Sequence, residues 1–134
     1  MNREKLIEFF KNDRYAALTG AEITDVEPGF CRCKLKIDEK HLNAAGVIQG
    51  GAIFTLADFA FAVASNSRGQ LALAIQVSIS FISSRSSGML YAEASEMSDP
   101  KRLGLYQVRV TDDGGELVAL FTGTVYRKNE ALSL

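Results

Sequence analysis

The sequence is short of the side chains that most metal and nucleophile chemistry uses. It has one histidine, His41, and only two cysteines, Cys31 and Cys33. A four-coordinate zinc site draws on more imidazole and thiolate than this, so no metal is expected. Residues two apart on a strand share a face, a poor arrangement for a disulfide, so the cysteines are expected as small core side chains. An excess of one charge is missing too: the formal net charge is -1. Without a basic field, nucleic acid is not an expected partner. No apolar run approaches the roughly 20 residues that cross a bilayer. The N-terminal MNREKLIEFFKND carries charges where a secretory signal needs an unbroken apolar core. These absences point to a cytoplasmic protein without a membrane partner. Neither a G-x-x-x-x-G-K-[ST] loop nor a G-x-S-x-G elbow occurs, which removes P-loop nucleotide binding and the serine-hydrolase elbow.

What is present fits one domain over residues 1–134, with globular proportions of apolar and charged residues. Leu6, Ile7, Phe9 and Phe10 recur at helical spacing among charges and predict a short helix over residues 2–13. Two extended segments, 20–27 and 30–37, flank the turn-forming EPG. In the second, Cys31, Cys33, Leu35 and Ile37 alternate with Arg32, Lys34 and Lys36, the period of a strand with one wet face. Residues 38–51 have no stable period and predict a structured loop, which at this length tends to be functional.

From Ala52 to about Asn66 the chain is rich in helix formers and apolar nearly all round, so it predicts a helix enclosed by a sheet. Residues 71–82 predict a strand with Leu71, Leu73, Ile75, Val77, Ile79 and Phe81 on one face. The small polar residues on its other face suggest a close neighbour, such as a second subunit. Further β-rich runs cover 88–97, 103–111 and 116–127, separated by turn material. The fold class is therefore α+β, one antiparallel sheet wrapped on a central helix.

Between His41 and Arg68, Asp58 is the only formally charged residue. A carboxylate in such a segment costs several kcal/mol unless it is hydrogen-bonded, protonated or open to a cleft. It reads equally as a functional acid or as one satisfied locally, for example by the Thr55 hydroxyl. Gly50 and Gly51 stand at the predicted helix start, where free N–H groups and the dipole favour a negative oxygen. Asp58 lies two turns farther on, on the order of 10 Å from Gly51. One site can use both only if the substrate bridges that distance or a second subunit supplies the acid. Asn43 is either a turn former or an amide donor to a polarised carbonyl.

The stretch HLNAAGVIQGGAIFTLADFAFAVASNSRG resembles the signature of hotdog-fold acyl-CoA thioesterases of the PaaI-like branch, H-x-N-x-x-G-x-x-H-G-G-x-x-x-T-L-A-D-x-A. The resemblance implies a hotdog fold, homodimers or homotetramers, and active sites between subunits. It implies hydrolysis of acyl-CoA without a cofactor, with Asp58 as general base or nucleophile. The Gly50 N–H and the Asn43 side chain of the facing subunit would hold the thioester carbonyl, with Gln49, Gly51 and Thr55 against the substrate. Arg85, Lys101 and Arg102 would lie near the coenzyme A phosphates. One position departs from the pattern: Gln49 stands where the family has His. Gln can hydrogen-bond but cannot shuttle a proton near neutral pH, which leaves a non-catalytic acyl-CoA binder as the alternative.

Overall fold

The computed structural model describes residues 1–98 and 102–134. Lys101, a candidate phosphate contact, lies outside them. In place of one helix over 2–13 the chain forms two. The first, α1 (Arg3–Phe10), is capped by the Asn2 side chain and buries Leu6 and Phe10. The second, α2 (Arg14–Thr19), starts where Asp13 accepts the Ala16 N–H at 3.1 Å, and stops at Gly20 with φ of 92°. The Asp13 cap explains the break, because a side-chain acceptor offers the backbone a fresh helix start.

Two strands follow, β1 (Glu22–Glu27) and β2 (Phe30–Lys36). A long loop then leads to α3 (Gly50–Asn66). Four more strands complete the chain: β3 (Gln70–Phe81), β4 (Met89–Ser98), β5 (Leu103–Thr111) and β6 (Leu117–Ala131). The six strands form one antiparallel sheet in the order β1-β2-β4-β5-β6-β3, so β3 crosses to an edge. No helix among the described residues is long and apolar enough to cross a membrane.

The sheet wraps α3. Leu56, Ala57, Ala60, Val63 and Ala64 are fully buried against it, as the apolar pattern required. Phe61 fits only because β6 carries Gly123 opposite: a Cβ there would lie 2.6 Å from the Phe61 Cζ. Cys31 and Cys33 are buried and free, with their sulfurs 3.6 Å apart. Their mutual hydrogen bond, together with burial, pushes the Cys31 thiol far above its ordinary pKa.

Enclosure is incomplete along one line. Gly51, Thr55, Asp58 and Ala62, at helical spacing, are not buried, so α3 keeps an open stripe. The edge strand is open too. Register shifts in the β3–β6 pairing, between Gln70 and Ala72 and between Ala74 and Gln76, interrupt the strict alternation expected of β3. Its apolar residues are therefore not packed as one inward face: Ala72 is buried, whereas Leu73, Ile75 and Phe81 are about half exposed.

Candidate active site

Three segments build the corner at the start of α3. The loop before it opens with a single 3-10 turn, Glu39–His41, capped by Asp38. His41 is buried and tied at both ring nitrogens. Its Nδ1 accepts the Asp38 N–H at 3.0 Å, which leaves Nε2–H to donate to the Thr19 carbonyl at 2.6 Å. Both positions are used structurally, so the one imidazole is not free for proton transfer.

Beyond His41 the loop closes on itself through a Leu42–Ile48 bridge, an Asn43 N–H to Val47 carbonyl bond, and a Gln49 N–H to His41 carbonyl bond of 2.7 Å. The Asn43 Oδ1 accepts the N–H groups of Ala45 and Val47 at 2.9 and 3.3 Å. Its oxygen thus shapes the loop, and its amide N–H2 is the part left to meet a ligand.

The corner is braced from outside. The Ile48 N–H donates to the Arg85 carbonyl at 2.8 Å. The Arg85 guanidinium is held in turn by two bonds to Asp112 Oδ2, at 3.1 and 3.0 Å, and by bonds to Ser83 Oγ and the Ser84 carbonyl. Glu116 adds an ion pair at 3.4 Å. Arg85, a candidate phosphate contact on sequence grounds, is here a clamp whose backbone holds the residue just before Gln49. Arg102 is exposed and donates to the Tyr126 hydroxyl at 3.3 Å. It lies near the start of β3, whereas the far end of that strand brings Phe81 to Gly50.

Gln49 is the N-cap of α3, and its side chain makes no capping bond. Its carbonyl accepts from Ala52 and Ile53, while the N–H groups of Gly50 and Gly51 meet no acceptor among the described residues. Side chains crowd both glycines. A Cβ on Gly50 would lie 3.0 Å from the Phe81 Cζ, and one on Gly51 would lie 2.7 Å from the Gln49 Oε1. Glycine keeps these two N–H groups approachable. The Thr55 hydroxyl donates to the Gly51 carbonyl at 2.8 Å and so is not spent on Asp58. A hollow of about 270 Å³ opens beside this helix start, between Tyr15 and Leu18 of α2 and Gln49, Gly51 and Ala52.

Asp58 sits half-buried on the open stripe, and no donor within the described residues hydrogen-bonds it. Its carboxyl pKa is raised, first by burial and then by repulsion from Asp13. Sequence reasoning missed Asp13 as a neighbour of the acid. Its only local signal is that of a helix cap, and the contact arises from packing of α2 on α3. Within one chain Asp58 and the glycine corner lie two helical turns apart, so the chain alone does not bring them together.

This arrangement, an acid on a sheet-wrapped helix with free N–H groups at its start, can be set against known proteins. Residues 45–119 match the thioesterase superfamily. The chain belongs to that family. Within it, this chain is 33% identical to the acyl-coenzyme A thioesterase PaaI of Escherichia coli, over 88% of this chain and 85% of that protein. The structure of E. coli PaaI superposes with a TM-score of 0.90, covering 94% of this chain and 92% of that one. A protein of Archaeoglobus fulgidus is 44% identical over 90% of this chain and 79% of its own length. A Streptococcus mutans protein whose crystal structure is bound to acetyl CoA is 26% identical, with a TM-score of 0.79 over 84% of this chain and 91% of that one. The fold is the hotdog fold, and the chain is PaaI-like, as the Gly-Gly motif implied.

Proposed function

We propose that the chain hydrolyses acyl-CoA thioesters at sites shared by two subunits. The observation that carries this reading is the open stripe of α3. Among the described residues it holds a half-buried carboxyl without a hydrogen-bond donor at one point and two unpaired N–H groups about 10 Å away. An isologous pairing of two such helices sets the acid of one chain against the glycine corner of the other, twice over. The exposed apolar residues of β3 support a homodimer, which two such dimers would extend to a homotetramer. A thioester of coenzyme A is the substrate class supported by the likeness to E. coli PaaI.

In the reaction, the Gly50 N–H and the Asn43 amide of one subunit hold the thioester oxygen, and the partner's Asp58 takes a proton from water. The water oxygen bonds to the carbonyl carbon, and the negative charge that develops on the thioester oxygen is met by those donors. Collapse breaks the carbon–sulfur bond, and the proton passes to the departing coenzyme A thiolate. Attack by the carboxylate itself, through an anhydride that water then opens, uses the same residues. Neither route requires a metal or redox cofactor. Gln49 and Gly51 border the hollow beside the corner, with Gln49 as a hydrogen-bonding wall, and Thr55 would meet the substrate one turn farther along the open stripe.

Gln49 also supports a second reading, an acyl-CoA binder without turnover, since its amide cannot carry a proton. A screen of purified protein against aryl and aliphatic acyl-CoA thioesters separates the two. Turnover that disappears in Asp58→Asn supports the hydrolase. Saturable binding with no hydrolysis across the panel rejects it in favour of the binder.

A further inference from the structure

We propose that the hollow bordered by Lys34, Lys36 and Lys40 binds the phosphate groups at the nucleotide end of the substrate's coenzyme A. The inference rests on the acyl-CoA reading above and adds to it a site for the half of the substrate that does not react. This hollow, of about 340 Å³, lies between the end of β2 and the His41 turn. Lys34 and Lys36 stand two apart on β2 and project from the same side of the sheet. Lys40 enters from the 3-10 turn that precedes the catalytic loop.

Three features make these lysines suited to an anion. Lys34 and Lys36 form no ion pair among the described residues, although Glu22 stands opposite Lys34 in the β1–β2 register. Among the described residues Lys40 has only a long ion pair, to Asp38, 3.6 Å between exposed partners, which water screens heavily. The hollow also shares Thr19, Lys40 and His41 with the one beside Gly51. The two therefore adjoin, from the unpaired N–H groups where the thioester carbonyl is held to the ammonium groups.

Chemistry favours the same assignment. Coenzyme A carries a pyrophosphate and a 3′-phosphate, and lysine ammonium groups meet phosphate as mobile point charges. Arg85, the cation nearest the glycine corner in the hydrogen-bond network, is already committed to Asp112, Ser83 and Ser84. Reaching a phosphate would cost it that clamp. Glu22 and Asp38 border the hollow as well and lower its net charge, so the site suits a ligand with several phosphates better than a single inorganic ion.

The test is calorimetric titration of the full-length protein with free coenzyme A, pantetheine and inorganic phosphate, before and after Lys34→Glu with Lys36→Glu. A second charge-reversed pair, Lys5→Glu with Lys128→Glu, lies outside the hollow and controls for net charge. The expected result is coenzyme A affinity at least about tenfold weaker in the first pair and little changed in the control, with pantetheine and inorganic phosphate bound weakly throughout. Equal coenzyme A affinity in the wild type and the first pair, or equal losses in both pairs, overturns the proposal. So does wild-type binding of pantetheine as tight as that of coenzyme A. In parallel, hydrolysis of one acyl group is compared on coenzyme A and on N-acetylcysteamine, which has no phosphate. The first pair should lose at least about tenfold more kcat/KM on the coenzyme A ester than on the short one, and equal losses overturn the assignment. Absence of hydrolysis of both esters by wild type, with lysine-dependent coenzyme A binding intact, sinks the thioesterase reading and not the phosphate site.

Discussion

Replacing Asp58 by asparagine changes one polar group for another of the same shape and should move activity and stability in opposite directions. Its carboxyl is half-buried, receives no hydrogen bond from the described residues, and stands near Asp13. Leaving a buried acceptor without a donor costs about 1–3 kcal/mol, and partial exposure puts Asp58 at the lower end, about 1 kcal/mol. A neutral amide at the same place is cheaper to desolvate. Thermal unfolding of Asp58→Asn should therefore rise by about 3–5 °C near neutral pH for a chain of this size. The sign can be checked by pH. Because the folded-state pKa is raised, the folded protein holds more protons than the unfolded chain between the two values, so wild-type stability falls as pH rises through that window. The advantage of Asp58→Asn should then vanish below the ordinary carboxylate range and be complete above the raised value. Over the same neutral range, turnover should fall by about a hundred- to ten-thousand-fold, the worth of a positioned base. A variant less stable than wild type at neutral pH, or one with wild-type turnover, would refute the reasoning.

Other substitutions probe the surroundings. Asp13→Asn keeps a helix cap but removes the like charge facing Asp58, so the acid limb of the kcat/KM profile should move to lower pH; an unmoved limb rules out the coupling. Arg85→Ala removes the guanidinium clamp that fixes the turn whose backbone carbonyl holds Ile48, and should cost about 1–3 kcal/mol in chemical denaturation while lowering kcat more than it raises KM, the mark of a misplaced corner. Gly123→Ala puts a Cβ against the Phe61 ring and should destabilise by about 1–3 kcal/mol in the same assay, since buried backbone and a packed aromatic ring leave little room to shift.

Much of this was legible in the sequence because it depends on periodicity. The alternation in β2 and the apolar run of α3 each specify one way to bury a face, and the structure follows both. Where local chemistry competes with the period, the reading faltered. RYAALT is too short to show a helical repeat, and only the Asp13 cap marks α2 as separate from α1. Along β3 the apolar alternation is real, but bulges and an edge position leave Leu73 and Ile75 exposed, because packing rather than pattern decides which face is covered. The motif singled out Asp58, Gly50 and Asn43 as candidates. What it could not reveal was the task of Arg85, whose guanidinium meets Asp112 through the return of a distant turn, or the approach of Asp13 to the acid. Both depend on contacts between segments far apart in the chain. Asn43 shows the middle case: its turn-forming oxygen and its free amide are both used in the account, so the two sequence readings of it are not exclusive.

The central claim is that each site takes Asp58 from one chain and the glycine corner from another. It is tested most directly by mixing two variants, Asp58→Asn and Gly50→Val, after unfolding and refolding them together. Each alone should be nearly inactive, the second because a larger side chain collides with the Phe81 ring and blocks the corner. In a mixed dimer one site receives both mutations and the other receives neither. An equal mixture should therefore regain about a quarter of wild-type activity, since half the dimers are mixed and each has one intact site. Activity that stays at the level of the separate variants, in a mixture shown by mass to contain mixed dimers, would contradict the shared site.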